Sequence, residues 1–146
     1  MTAYLLDTNV LIALAWPNHV HHNDAMGWFR GKGASAFRTC PITQTGFVRI
    51  SSNPSFFANA VVPGEAMGLL QRITNLPGHG FWPDDLSLLE TFALHPLLGS
   101  HRQITDAYLL SLATVHDGVL ASLDHGIVAL ARQCPERLEL MANNSR

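Results

Sequence analysis

The residues of this chain best suited to chemistry are three aspartates. Asp7 follows a short apolar run, Asp124 follows another, and Asp106 opens a long apolar stretch with helical spacing. In open α/β sheets, the carboxyl ends of strands and the neighbouring helix starts form the crevice that binds ligands. Three carboxylates meeting there without a lysine or arginine between them repel one another, and the usual compensation is a hard divalent cation such as Mg²⁺ or Mn²⁺. Such ions act on phosphodiesters by lowering the pKa of a bound water and by stabilising the attacking and leaving oxygens. The same residues also have a structural reading. Aspartate is a favoured helix N-cap, and Asp7 before Thr8, Asn9 and Val10, or Asp124 before His125, Gly126 and Ile127, would satisfy free backbone N–H groups with no catalysis. Position alone leaves both readings open.

Other polar residues are weighed in the same way. Thr8 and Asn9 either hydrogen-bond Asp7 or a metal-held water, or serve only the helix start. Arg49, and Arg102 just ahead of Asp106, are the candidates to meet the phosphate of such a phosphodiester, against a surface or packing role. His19, His21 and His22 with Asp24 suggest zinc, but no distant cluster completes the four ligands that a structural zinc site needs. Trp16, Trp28, Phe29, Phe47 and Tyr108 are able to stack on bases, although aromatic residues at helical spacing more often fill a core or an interface. Cys40 and Cys134 lie far apart and read as reduced thiols.

The elements that must position these residues follow from periodicity and punctuation. Residues 3–6 predict a strand, Thr8 and Asn9 follow in a turn, and helical spacing then runs from Val10 until Pro17 ends it. A helix is expected over 19–30, stopped by Gly31 and Gly33, then a strand over 34–40 and a third helix opened by Pro41 and carrying Phe47, Val48 and Ile50. Pro63-Gly64 and Pro77-Gly78 bracket a helix over 65–75, and residues 79–82 form a short strand, with Asp84 or Asp85 capping the helix after it. The last third gives a helix over 104–116, a strand over 118–122, a helix over 127–132 and a final strand over 138–141. Strands alternating with helices predict an α/β/α sandwich with a mainly parallel central sheet. Residues 1–142 read as one domain and 143–146 as a loose tail.

Composition sets limits on partners. The 146 residues are 47% hydrophobic and 14% charged, with a mean hydropathy of +0.13. A surface so short of charge predicts cover by a partner or by a second copy, hence a homodimer. Net charge is −2 and the pI about 6.4, which excludes a globally basic nucleic-acid-binding domain while leaving room for local patches. Eight of the nine cations are arginine, the better bidentate partner for phosphate; Lys32 is the single lysine. With neither a long apolar span nor a signal peptide, the expected location is cytoplasmic.

Residues 4–12, YLLDTNVLI, resemble the opening of PIN domains, 104–113, ITDAYLLSLA, resemble their central helix, and 120–124, LASLD, the strand carrying their last acidic residue. The three segments keep the family's order and distance, so the resemblance spans nearly the whole chain. The resemblance implies a PIN-like fold and an endoribonuclease that acts as the toxin of a VapC-type toxin–antitoxin pair. It further implies Mg²⁺ or Mn²⁺ held by Asp7, Asp106 and Asp124, hydrolysis of RNA by a metal-activated water, and a VapB-like antitoxin that obstructs the acidic crevice. One departure stands out. Most PIN domains carry a glutamate early in the third helix, whereas residues 41–49, PITQTGFVR, hold Gln44 and no acid. Gln44 can accept a hydrogen bond or hold a metal-bound water but adds no negative charge. The competing functions are a non-catalytic interaction module and a phosphatase of the haloacid dehalogenase type. The latter needs an aspartate where this chain has Asn9.

Overall fold

A computed structural model describes residues 1–94 and 98–141. Five short strands, β1 (Tyr4–Leu6), β2 (Phe37–Thr39), β3 (His79–Phe81), β4 (Val119–Ser122) and β5 (Leu138–Leu140), form one sheet in the order β3-β2-β1-β4-β5. Every pairing is parallel. The central strand β1 is apolar at every position and fully buried because helices cover both faces of the sheet. Tyr4 and Leu6 point to one face and Leu5 to the other, the period-two alternation of a strand.

Helices α1 (Thr8–Ala15), α2 (His22–Trp28), α3 (Pro41–Ser51) and α4 (Pro63–Thr74) supply one layer, where Leu6, Val10, Leu11, Phe37 and Phe47 form the core. Helices α5 (Leu88–Leu94) and α6 (Ile104–Val115) lie on the opposite face, where Leu5 and Leu120 pack against Leu109, Leu112 and Ile127. The result is the expected α/β/α sandwich. No helix among the described residues is long and apolar enough to cross a membrane.

Several local expectations are corrected. The helix expected over 19–30 is regular only in α2 and then widens into a π-helical turn, Phe29–Gly33, so the glycines lie inside a turn they were expected to end. Gly33 permits this because a Cβ there would lie 2.5 Å from the folded-back ring of Trp28. The helix expected over 127–132 is a 3₁₀ turn, His125–Ala129, tightened by the Asp124 carboxylate accepting from the Gly126 N–H. The expected cap at Asp84 or Asp85 is made by Ser87, whose N–H donates to Glu90 and whose hydroxyl accepts from Leu89 N–H; Asp85 pairs with His116 instead. The predicted tail over 143–146 lies outside the described residues.

Two glycines separate close approach from mere flexibility. A Cβ on Gly78 would lie 1.9 Å from the Ala34 carbonyl oxygen, whereas one on Gly68, inside α4, would meet nothing within 4 Å. Gly78→Ala should destabilise by about 1–3 kcal/mol through overpacking, and Gly68→Ala should stabilise by about 0.5–1 kcal/mol. Urea denaturation of the two variants reads both signs.

Candidate active site

Sheet order locates the site. The chain runs outward from β1 through β2 to β3 and then returns to lay β4 against the other side of β1. Crossovers on either side of that junction leave in opposite directions, which opens a crevice at the carboxyl ends of β1 and β4. Asp7 is the first residue after β1, and its N–H donates to Ala121 of β4. Asp124 lies two residues past β4, and Asp106 is the third residue of α6.

Asp7 is nearly inaccessible, with 7% of its surface exposed. One carboxylate oxygen accepts from the Thr8 N–H at 2.8 Å and the other from the Ser122 hydroxyl at 2.7 Å. Ser122 Oγ also accepts from the Asp124 N–H at 3.0 Å and from the Asn9 amide at 3.3 Å. The carbonyl of that same amide accepts from Leu123 N–H. Asn9 therefore needs both a donor and an acceptor, which an aspartate would lack at neutral pH; this removes the second acid that the phosphatase reading requires. Ser122 was not among the residues singled out from the sequence. Its only signal was a lone polar residue closing an apolar strand, two positions before Asp124.

The electrostatics of the crevice are those of a crowded anion site. Burial pushes the Asp7 carboxyl up, the hydrogen bonds from Ser122 and Thr8 pull it back, and the charge of Asp124 adds to the rise. Burial, followed by the charges of Asp7 and Asp124, pushes Asp106 up to about 6. None of the three has a lysine or arginine partner among the described residues. The capping reading holds in part, since Asp7 accepts from Thr8 and Asp124 from Gly126. It does not reach Asp106, which caps nothing.

An all-carboxylate donor set without a paired cation suits a hard, oxygen-seeking divalent ion in type and in charge. Among the described residues, no three His, Cys, Asp or Glu side chains stand close enough to enclose one ion directly. Coordination would thus rest on one or two carboxylates with waters completing the shell, the habit of Mg²⁺. The His19, His21 and His22 group is not such a site either: His21 N–H donates to the His19 ring and His22 meets the Ala13 carbonyl.

The remaining candidates divide. Thr8 touches α3: a Cβ on Gly46 would lie 2.7 Å from Thr8 Oγ1, so glycine there lets α3 seat against the start of α1. Gln44 is joined to none of the carboxylates; its amide nitrogen donates to Thr39 Oγ1 at 3.0 Å, and its side chain lines a groove between α3 and α4. Arg49 lines the same groove, and Arg102 lies in the 3₁₀ turn His101–Gln103 ahead of α6. Both arginines are exposed. Phe29, Phe47 and Tyr108 are core residues, Trp16 stacks on Phe57, and Trp28 donates to Glu139.

Comparison with known proteins agrees with this architecture. The sequence profile of the PIN domain matches residues 4–133. The chain belongs to the PIN-domain family. Ribonuclease VapC39 of Mycobacterium tuberculosis is 46% identical over 125 residues, covering 85% of this chain and 89% of the relative. Ribonuclease VapC38 of the same organism is 40% identical over 132 residues, covering 90% and 92%. The fold is shared with VapBC2 from Rickettsia felis, in a crystal structure with a DNA fragment from their promoter, at a TM-score of 0.63 and 9% identity over 97% of this chain and 100% of that one. FitAcB from Neisseria gonorrhoeae gives 0.60 at 19% identity, with 88% and 93% covered. In this PIN domain, the two strand-end aspartates and the helix-start aspartate occupy the β1/β4 junction.

The raised Asp106 carboxyl has a pH signature. Because Asp106 takes up a proton more readily when folded than when unfolded, the native state binds more protons between the ordinary value of 3.8 and about 6. Its contribution to metal-free stability is fully present below 3.8 and lost as pH rises through about 6. Denaturation in chelator at pH 4.5 and pH 7 should show this fall in the wild type, and Asp106→Asn should flatten it.

Proposed function

We propose that this PIN domain is a metal-dependent endoribonuclease acting as the growth-inhibiting toxin of a toxin–antitoxin pair. The observation that carries the reading is Asp106: a half-buried carboxyl, pushed up to about 6 by burial and by Asp7 and Asp124, with no capping or ion-pairing role among the described residues. A charge kept in such a place, with only the dipole at the start of α6 to favour it, marks a functional site. The names of the VapC relatives supply the substrate class, RNA.

In this reading Asp7 is the fixed anchor of the site, held at both oxygens by Ser122 and Thr8. Asp106 on α6 and Asp124 past the end of β4 add their charge to it; one or two of the three carboxylates would hold Mg²⁺ or Mn²⁺ directly, with waters bridging the remainder. When bound, the cation would offset the crowded negative charge and supply Lewis-acid chemistry to the scissile phosphodiester. Thr8 and Asn9 keep the anchor in place, Gln44 stands where other members have an acid, and Arg49 and Arg102 meet RNA phosphates. The exposed apolar side chains of Val20, Leu89 and Val115 support burial against a second copy or an antitoxin. A homodimer in the cytoplasm that binds a VapB-like antitoxin accommodates these features.

Asp106→Asn should abolish Mn²⁺-dependent cleavage of single-stranded RNA while the metal-free protein melts no lower than wild type, one member of a repelling cluster having been neutralised. The rise in melting temperature on adding Mn²⁺ should shrink in the variant, because ligand stabilisation follows affinity for the native state. Equal metal shifts in the two proteins with undiminished cleavage would overturn the assignment. For the biological role, expression of the chain alone should slow growth, and co-expression of the neighbouring antitoxin should restore it. Harmless accumulation of active protein argues against a toxin and leaves the nuclease intact.

A further inference from the structure

The groove between α3 and α4 takes no part in holding the carboxylates, yet it is built like a ligand site. Its volume is about 690 Å³, within the range of roughly 300–1,000 Å³ common for small-ligand pockets. Val48, Met67 and Leu70 give it apolar walls, Gln44 and Gln71 contribute amides, and Arg49 contributes a cation. No acidic residue lines it, and Arg49 has no ion-pair partner among the described residues.

Gln44 does not turn freely in this groove. Thr39 Oγ1 is buried and lies 3.0 Å from the Gln44 amide nitrogen and 2.7 Å from His79 Nε2. A hydroxyl has one proton, so the state of His79 decides which end of the Gln44 amide turns inward. If Nε2 carries a proton, the Thr39 proton is free for the Gln44 carbonyl and the NH₂ faces out. If Nε2 is bare, Thr39 donates to it and accepts from Gln44, so the carbonyl faces out. Burial and the charge of Arg38 favour a neutral His79, and the Gln44 end that faces Thr39 Oγ1 is its amide nitrogen, the partner of a hydroxyl whose own proton goes to His79. The bare-Nε2 arrangement follows, and Gln44 presents a hydrogen-bond acceptor of fixed direction.

We propose that the groove between α3 and α4 receives an unstacked base of the RNA, and that Gln44, positioned by Thr39 and His79, reads its exocyclic amine. The inference rests on the ribonuclease reading. The apolar walls suit the faces of a base, Arg49 suits its phosphate, and a fixed acceptor suits adenine or cytosine over bases with a carbonyl at that position. Gly46 seats α3, which carries Gln44 and Arg49, against Thr8, the residue after Asp7, so one helix wall of the groove adjoins the strand-end carboxylate.

The test compares affinities of the full chain, in chelator, for short oligonucleotides that exchange only the amine for a carbonyl: oligo-rC against oligo-rU and oligo-rA against oligo-rI. Wild type should bind the amine-bearing member of each pair about 3- to 10-fold more tightly, the worth of one hydrogen bond. Gln44→Met and Thr39→Val should each bring that ratio close to one. If Thr39→Val fails to fold, Gln44→Met, at a partly exposed position, decides alone. A ratio near one in wild type, or a preference that survives both substitutions, overturns the proposal. If both variants keep wild-type RNA affinity and preference but lose antitoxin binding, the groove docks protein and the proposal is wrong. Cleavage without base preference removes the groove reading alone; preference without cleavage removes the nuclease reading alone. An absence of RNA binding removes both.

Discussion

The structure depends on one hydroxyl group. Ser122 Oγ closes β4, donates its proton to the buried carboxylate of Asp7, and accepts from the Asp124 N–H and from Asn9. Burying a carboxylate in a sheet crossover costs several kcal/mol unless hydrogen bonds replace lost water, and the Ser122 and Thr8 donors provide that replacement. The same oxygen fixes how the backbone leaves β4, because Asp124 turns back over it. An alanine there would leave Asp7 with one donor, Asn9 with an idle amide and Asp124 on an untethered loop. Sheet pairing comes first in this hierarchy: only the β1/β4 register, Leu6 opposite Ala121, brings Ser122 within reach of Asp7.

Much of the fold was legible because its causes are local. The continuous apolar run at 3–6, cut off by Asp7, reads as a strand buried on both faces, and Pro41 at the start of α3 and Pro63 at the start of α4 act where a missing N–H costs nothing. Where tertiary contacts outweighed propensity, the reading from sequence gave way. The π-helical turn after α2 exists because the Trp28 ring folds over Gly33 and its N–H reaches Glu139 on β5, more than a hundred residues away. The 3₁₀ turn after Asp124 forms because a capping carboxylate draws the backbone tighter than an α-helix permits.

The site divides along the same line. Asp7, Asp106 and Asp124 were visible as acids at strand ends and a helix start, since parallel-sheet topology gives those positions meaning. Ser122 and the coupling of Thr39 to His79 were not, because each joins residues distant in sequence through a single hydroxyl with no spacing to betray it. Gln44 was found for its position in the third helix, but only coordinates reveal that its amide nitrogen is engaged by Thr39 and its side chain faces α4.

The bond between Ser122 and Asp7 spans 115 residues of a 146-residue chain. During translation β1 emerges more than a hundred residues before its neighbour β4. Until then Asp7 has no serine to orient it, Asp124 does not exist, and the apolar strand lacks one wall. Contacts of such long range form late and slowly. The site is therefore assembled only once β4 has been made, more than a hundred residues of synthesis after β1.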